Sequence, residues 1–331
     1  MNINSYEIDV QESAAAYVVG ADIGGTNLRL ALADGAGAML GRWSTSTVRA
    51  RDAEAVVRLM REGVDTLLRE ASLPQDVLRA IACGAPGITN VDKGVVIATS
   101  YLMGWQDVPL RALLETEFKV PSAVDNDVNL AAVGEQRAGV AQGEANFVFL
   151  AIGTGIGAGI VVNGKIHHGS VWTAGEIGYM LVPGTSETPV ELGEPGALEA
   201  IAGGEGIRNQ WQKRWREDLT TLRRDAIATE IFDQALKSDA LAQEVLQVAG
   251  RTLAYAIYNI SLILNSPLFV LGGSVGIHPA LGDAIRQVLA QRADCVQPTL
   301  VRSALGVDAQ LVGAICLAIE TANKKLASPG S

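Results

Sequence analysis

The sequence predicts an α/β protein assembled from two lobes of one plan, and three observations carry that expectation. An apolar strand, a glycine-threonine turn and a second strand ending on Asp-Gly or Asn-Gly occur twice. The copies are Ile23–Gly35 (IGGTNLRLALADG) and Ile152–Gly164 (IGTGIGAGIVVNG), with the same spacing from isoleucine to hairpin tip. After each copy, strand-like and helix-like segments alternate. The 331 residues, 48% hydrophobic and 19% charged, suffice for two cores and exclude a disordered or fibrous chain.

Taken in order, the first strand is expected at Tyr17–Ile23. Its hairpin partner closes on Asp34-Gly35, a dipeptide that accepts positive φ and favours a tight type I′ turn. Ala53–Ala71 carries Val56, Leu59, Met60, Val64, Leu67 and Leu68 at helical spacing. A strand at Val77–Cys83 runs into the turn Gly84-Ala85-Pro86-Gly87. A helix near Pro109–Phe118 and a short strand Ser122–Val124 lead to Asp125-Asn126-Asp127, and Val128–Ala138 reads as helical. Gly139–Glu144 is a plausible linker. The second copy opens with strand Phe147–Ile152, and its hairpin closes on Asn163-Gly164. Helices follow near Ile207–Trp215, Asp225–Leu236 and Ala240–Asn265. Strand Leu268–Leu271 ends on Gly272-Gly273, and helix His278–Arg292, strand Thr299–Ala304 and helix Ala309–Ala322 complete the chain.

Charge and composition exclude whole classes. With 26 Lys and Arg against 36 Asp and Glu, the net charge is −10, which argues against a nucleic-acid partner. No uncharged apolar run reaches the ~20 residues that span a bilayer. Glu7, Asp9 and Glu12 occupy the place of a basic leader, so a cytoplasmic protein is expected. Cys83, Cys295 and Cys316 lie far apart without a CxxC, and only His167, His168 and His278 are present. Neither a disulfide framework nor a thiolate zinc cage is visible.

The glycine turns admit two familiar readings that fail on context. Gly153-Thr154-Gly155-Ile156-Gly157-Ala158 fits a permissive dinucleotide fingerprint, but that fingerprint must open a helix, and here a strand follows. Gly159 to Lys165 mimics the start of a P-loop, yet Ile166 stands where a Mg²⁺-binding Ser or Thr belongs. What survives is a pair of strand–turn–strand loops whose backbone N–H groups and threonine hydroxyls can hold anionic oxygens. These are Gly24-Gly25-Thr26-Asn27 and Gly153-Thr154-Gly155 with Gly157. Either alone is an ordinary hairpin; two matched loops and a third pair, Gly272-Gly273, point to a nucleotide. Asp22, just before the first turn, is suited to hold Mg²⁺ through water.

Five motifs together resemble the ROK family of bacterial sugar kinases and sugar-responsive repressors. They are DIGGTN (Asp22–Asn27), DNDVNLAAVGE (Asp125–Glu135), GTGIGAGIVVNG (Gly153–Gly164), AGEIG (Ala174–Gly178) and LGGS (Leu271–Ser274), in the family's order from about Tyr17 to the last helix. The resemblance implies a two-lobed, actin-like, hexokinase-type ATPase fold of duplicated ribonuclease-H-like domains. It implies a small lobe over 1–122, with the C-terminal helix 308–331 packing back on it, a large lobe over 123–307, and sugar and ATP bound between them. Family members are often dimers, so a homodimer is an expectation on the same ground.

Roles carry over residue by residue. Asp127 matches the family's catalytic aspartate; by itself it reads as a helix N-cap. Asn126, with a donor and an acceptor, suits sugar hydroxyls. Glu176 and Glu199 match carboxylates that grip sugar hydroxyls, where an unmet bond penalises the wrong epimer. Gly87 closes a loop resembling the family's sugar-side turn.

The chain also departs from the family. ROK proteins usually carry a zinc site from a His after Glu-Ile-Gly and three later cysteines. Here those positions are Tyr179, Val190, Leu192 and Ala197, so no zinc is expected, with apolar packing in its place. Tyr179 and Tyr101 bring aromatic rings to the sugar-side motifs and leave the hexose open. Glucose is the default, with mannose, fructose, allose or an N-acetylhexosamine as alternatives. A repressor needs a helix-turn-helix before the first phosphate motif, which Met1–Ala16 is too short to supply. A sugar sensor without catalysis fits poorly with a retained Asp22, Asp127 and three glycine turns.

Overall fold

Six of the seven residues of β1 (Tyr17–Ile23) are buried, the near-continuous apolar run of a strand covered on both faces. Around it one sheet grows. β2 (Asn27–Asp34) and β3 (Met39–Ser46) pair antiparallel on one side. After α1 (Ala53–Glu70), β4 (Leu78–Ala85) pairs parallel on the other. Three short strands, β5 (Ile88–Asn90), β6 (Val95–Ala98) and β7 (Gln106–Val108), form a small antiparallel sheet of their own. Then α2 (Leu110–Phe118) leads to β8 (Ser122–Asn126), parallel to β4, and to α3 (Asp127–Ala138). The sheet order is β3-β2-β1-β4-β8. Ile23, Leu28, Leu30 and Leu32 share a core with Val56, Met60, Val64 and Leu67 of α1. Asp52 caps that helix through Ala55 N–H at 2.6 Å.

In this computed structural model the described residues are 17–50, 52–99, 102, 104–191, 194–292 and 297–327. They divide into two compact units. Unit 1 holds the described residues up to Gly143, those from Gly169 to Thr173 and those from Asp308 onward; unit 2 holds Glu144–His168 and Ala174–Val307. The division thus falls at Gly143/Glu144, not at 122/123. β8 and α3 lie in unit 1 because β8 is hydrogen-bonded to β4 from Ile81↔Ser122 to Ala85↔Asn126.

Unit 2 repeats the frame. β9 (Phe147–Ile152), β10 (Ile156–Val162) and β11 (Lys165–Ile166) form an antiparallel run. After α4 (Glu199–Ala202), α5 (Gly204–Arg214), α6 (Ala228–Leu236) and α7 (Ala240–Leu264) comes β12 (Leu268–Gly272), parallel to β9. Next are α8 (Gly273–Gly276), α9 (Pro279–Leu289) and β13 (Thr299–Arg302), parallel to β12. The order β11-β10-β9-β12-β13 and the strand directions match those of unit 1. Trp211, Phe232, Ile257, Phe269 and Leu281 fill its core.

The last helix, α10 (Ala309–Ala327), returns to unit 1 and packs on α3, β1 and β4. Close approach demands glycine there: a Cβ on Gly134 would overlap the Ala309 carbonyl, and one on Gly313 the Leu130 carbonyl. Among the described residues no helix is long and apolar enough to cross a membrane.

The two hairpin tips differ. Asn163 and Gly164 both have positive φ, 51° and 76°, in the expected tight turn between Val162 and Lys165. The first tip is wider. Asp34 Oδ1 accepts N–H bonds from Ala36 and Ala38, and the positive φ falls on Gly37 rather than Gly35. The aspartate side chain organises the loop and moves the left-handed residue two places along.

Candidate active site

In unit 1 the site residues gather at the end where β1, β4 and β8 finish. Asp22 is in register with Gly84, and Gly84 with Asp125, so three strand ends stand side by side. The middle position lacks a side chain; a Cβ on Gly84 would stand 3.1 Å from Leu130 Cδ1 and 3.4 Å from Asp127 Cα. Asp127 is the first residue of α3. The helix is capped by Asn126, whose Oδ1 accepts from Val128 N at 2.8 Å and Asn129 N at 3.1 Å. Asp127 Oδ1 accepts from Val128 N at 2.9 Å. The capping role open to Asp127 therefore belongs to its neighbour. Asn126 Nδ2 donates to the Gly87 carbonyl at 2.9 Å, tying the β8–α3 corner to the turn after β4. Gly87 has φ +93°, and a Cβ there would overlap the Ala98 carbonyl. Buried Asp125 accepts from Asn129 Nδ2 at 3.0 Å and braces the same corner.

The first glycine turn is held from its own hairpin. Gly24 N donates to Asn27 O at 2.8 Å, Thr47 Oγ1 to Gly24 O at 3.0 Å, and Thr47 N to Thr26 O at 3.0 Å. The Thr26 and Asn27 side chains are exposed. Beside them Asp22 is buried and takes Arg29 Nε at 2.9 Å and Nη2 at 2.5 Å, both on Oδ2. Burial pushes its acid form up from the ordinary carboxylate value, and the Arg29 guanidinium opposes that push. Arg29 lies beyond the Asp22–Asn27 motif. Its signal was available, since residues 22 and 29 are equidistant from the turn and stand opposite in register.

In unit 2 the second turn is bare. A Cβ on Gly153 would meet no atom within 4 Å, and the Thr154 side chain is exposed. The turn opens β10 antiparallel to β9, as its context required, and Gly157 lies in that strand. Its supports come from α4 and α5. Glu199 Oε2 accepts from Ile156 N at 2.7 Å, Gly204 N donates to Gly153 O at 2.8 Å, and Glu205 N to Thr154 O at 3.2 Å. Gly272 ends β12 opposite Ala151 of β9, and Gly273 opens α8. Gly273 has φ +78°, and a Cβ on it would overlap the Ile152 carbonyl. The pair Gly203-Gly204 carries no signal in the sequence, whose expected helix begins only at Ile207, whereas α5 begins at Gly204.

Glu176 and Glu199 are brought close within unit 2. Burial raises the Glu176 carboxyl first, and the neighbouring Glu199 charge adds to it. Burial also raises Glu199, against the pull of the Ile156 N–H. Tyr179 ends a 3₁₀ turn, Ile177–Tyr179, with its N–H on Glu176 O at 3.2 Å. A Cβ on Gly178 would touch Glu199 Oε2 at 3.3 Å.

Of the residues that replace the usual zinc ligands, Ala197 is half-buried. Val190 is 41% exposed, while Leu192, like Tyr101 and Met1–Ala16, lies outside the described residues. Gly196 packs instead on the Gly178-Tyr179 backbone, and Leu198 N donates to Gly178 O at 3.0 Å. Among the described residues no group of three or more His, Cys, Asp or Glu could hold a metal ion.

The ROK family profile matches residues 18–321. The chain belongs to the ROK family. Over 311 residues it is 32% identical to the glucokinase of Halalkalibacterium halodurans, which spans 90% of this chain and 93% of that one. It is 31% identical over 299 residues to the N-acetylmannosamine kinase of Escherichia coli, covering 90% and 96%. The crystal structure of a ROK family glucokinase from Streptomyces griseus, in complex with glucose and AMPPNP, shares the fold with a TM-score of 0.77. That alignment has 24% identity and covers 92% of this chain and 100% of that one. The fold is the actin-like, hexokinase-type ATPase fold, and this ROK protein is a sugar kinase of that group.

Proposed function

We propose that this ROK kinase is an ATP-dependent hexokinase acting on the 6-hydroxyl of glucose. The observation that carries it is the β8–α3 corner. Asn126 takes the cap and holds Gly87, so Asp127 is fixed on the first helical turn beside side-chain-free Gly84. Asp127 takes the proton of the sugar hydroxyl as that oxygen bonds to the γ-phosphorus and the bond to the ADP oxygen breaks. Glu176 and Glu199 accept hydrogen bonds from other sugar hydroxyls, and Tyr179 and Gly87 border the same substrate. Backbone N–H groups of Gly25, Thr26, Thr154, Gly155, Gly272 and Gly273 stabilise phosphate oxygens, while those of Gly24 and Gly153 hold the turns themselves by donating to Asn27 O and Gly155 O. The open face of Gly153 and the exposed threonines fit such a load. Asp22, which Arg29 engages on Oδ2 alone, would hold Mg²⁺ through water, and the ion would supply charge neutralisation at the phosphates.

The test is ADP release with Mg-ATP over a hexose panel, with Asp127→Asn beside the wild type. Turnover on glucose that the variant loses is the expected result; no turnover on any hexose overturns the reading. N-acetylmannosamine belongs in the panel because the kinase for that sugar is nearly as similar in sequence as the glucokinase. Preference for it would move the assignment to an N-acetylhexosamine kinase. The protein works without zinc on this reading, and one zinc per chain by elemental analysis would count against that.

A further inference from the structure

We infer that Glu199 is a positioning residue for the second glycine turn, coupling sugar occupancy to nucleotide binding inside unit 2. The inference rests on the sugar-kinase reading for its ligands and on unit 2 alone for its geometry. Glu199 has two sides. Toward the sugar motif it neighbours Glu176, and its Oε2 lies where a Gly178 Cβ would make a 3.3 Å contact. Toward the phosphate turn the same Oε2 accepts the Ile156 N–H at 2.7 Å, at the residue where the turn becomes β10.

That bond is not alone. Glu199 begins α4, the Glu199 carbonyl accepts from Gly203 N at 2.9 Å, and the next two residues donate to the turn. Gly204 N reaches Gly153 O and Glu205 N reaches Thr154 O, at 2.8 and 3.2 Å. One carboxylate and one glycine corner therefore hold Gly153, Thr154 and Ile156. The fit has no slack on that side: a Cβ on Gly204 would stand 2.6 Å from Gly153 O and 3.3 Å from Val275 Cγ2. A sugar hydroxyl that bonds to Glu199 acts on the carboxylate that anchors the turn. By linkage, each ligand then alters the affinity of the other by one factor.

The experiment is calorimetric titration of the full chain with MgADP and, separately, with glucose, each alone and in the presence of the other. Glu199→Gln keeps an oxygen for the Ile156 N–H and loses the charge. It should bind MgADP within about twofold of wild type while glucose weakens about tenfold or more. Glu199→Ala leaves the Ile156 N–H without its acceptor and should weaken MgADP about tenfold, with the glucose effect on MgADP abolished. Gly204→Ala displaces the turn without touching either carboxylate. It should weaken MgADP about tenfold and leave glucose within twofold, which keeps the test decisive if Glu199→Ala does not fold. Wild-type affinity for MgADP in Gly204→Ala, or equal losses of both ligands in Glu199→Gln, overturns the proposal. A wild type that binds MgADP but no hexose refutes the sugar reading instead, and the Ile156 anchor is still decided by the MgADP arm.

Discussion

The first and second glycine turns occupy the same place in sheets of the same order, yet they are held by different means. After β1 the turn is braced by Thr47 at the end of its own hairpin. After β9 the bracing comes from Glu199, 43 residues along the chain, and from the start of α5. The first turn also stands beside a fixed ion pair, Asp22 with Arg29, whereas the matching position of the second copy is Ala151. A duplicated frame dictates where a turn sits; what the turn carries depends on side chains the duplication does not dictate. Unit 1 brings charge and the proposed base to its strand ends, and unit 2 brings bare backbone.

Removing the base should expose that division most sharply. Asp127→Asn is expected to lower turnover by roughly 10²- to 10⁴-fold while the folded protein still binds glucose, as measured by coupled assay and titration. Next comes Gly273→Ala, which forces a side chain into φ +78° against the Ile152 carbonyl. A loss of about 3 kcal/mol in urea unfolding is expected, and no loss would mean that β12 has room to shift. In unit 1, Arg29→Leu leaves a mostly buried carboxylate without its partner. Because Arg29 is itself 28% exposed, a cost of about 2 kcal/mol is expected, below that of a fully buried pair. Thr47→Val removes one hydrogen bond from the first turn and should cost about 1 kcal/mol.

The smallest effect is in pH. Burial, then Glu199, raises the Glu176 carboxyl in the folded chain, so the unfolded state ionises first. The stability from this group is complete below the unfolded value and is lost as pH rises through the higher folded one. Glu176→Gln should therefore gain on wild type by roughly 1–2 °C in Tm as pH climbs out of the carboxylate range. A gap that stays constant with pH would show that Glu176 is not perturbed.

Much of this was legible in the sequence, for reasons that differ by residue. The strands that enter the glycine turns, β1 and β9, were readable because near-complete burial leaves a largely apolar run, and Asp127 because its motif is dense. The small sheet β5-β6-β7 was not, since strands of three or four residues carry too few alternations to register. Asn126 and Asp127 compete for one cap, and only the backbone decides which takes it. The Asp-Gly of the first hairpin misled because Asp34 folds back on Ala36 and Ala38. The grip of Glu199 on Ile156 had no local signal, for it joins segments that no periodicity relates.

The return of α10 to unit 1 has a consequence for the order of synthesis. Unit 2 is built largely from one uninterrupted stretch and can close as soon as β13 leaves the ribosome. Unit 1 cannot: the grooves at Gly20, beneath Ile315, and at Gly134, beneath Ala309, are filled only by α10, which is translated after unit 2. The segment bearing the proposed base is thus made before unit 2 and completed after it. Ribosome-stalled chains ending before Ala309 should present a protease-sensitive unit 1 joined to a resistant unit 2.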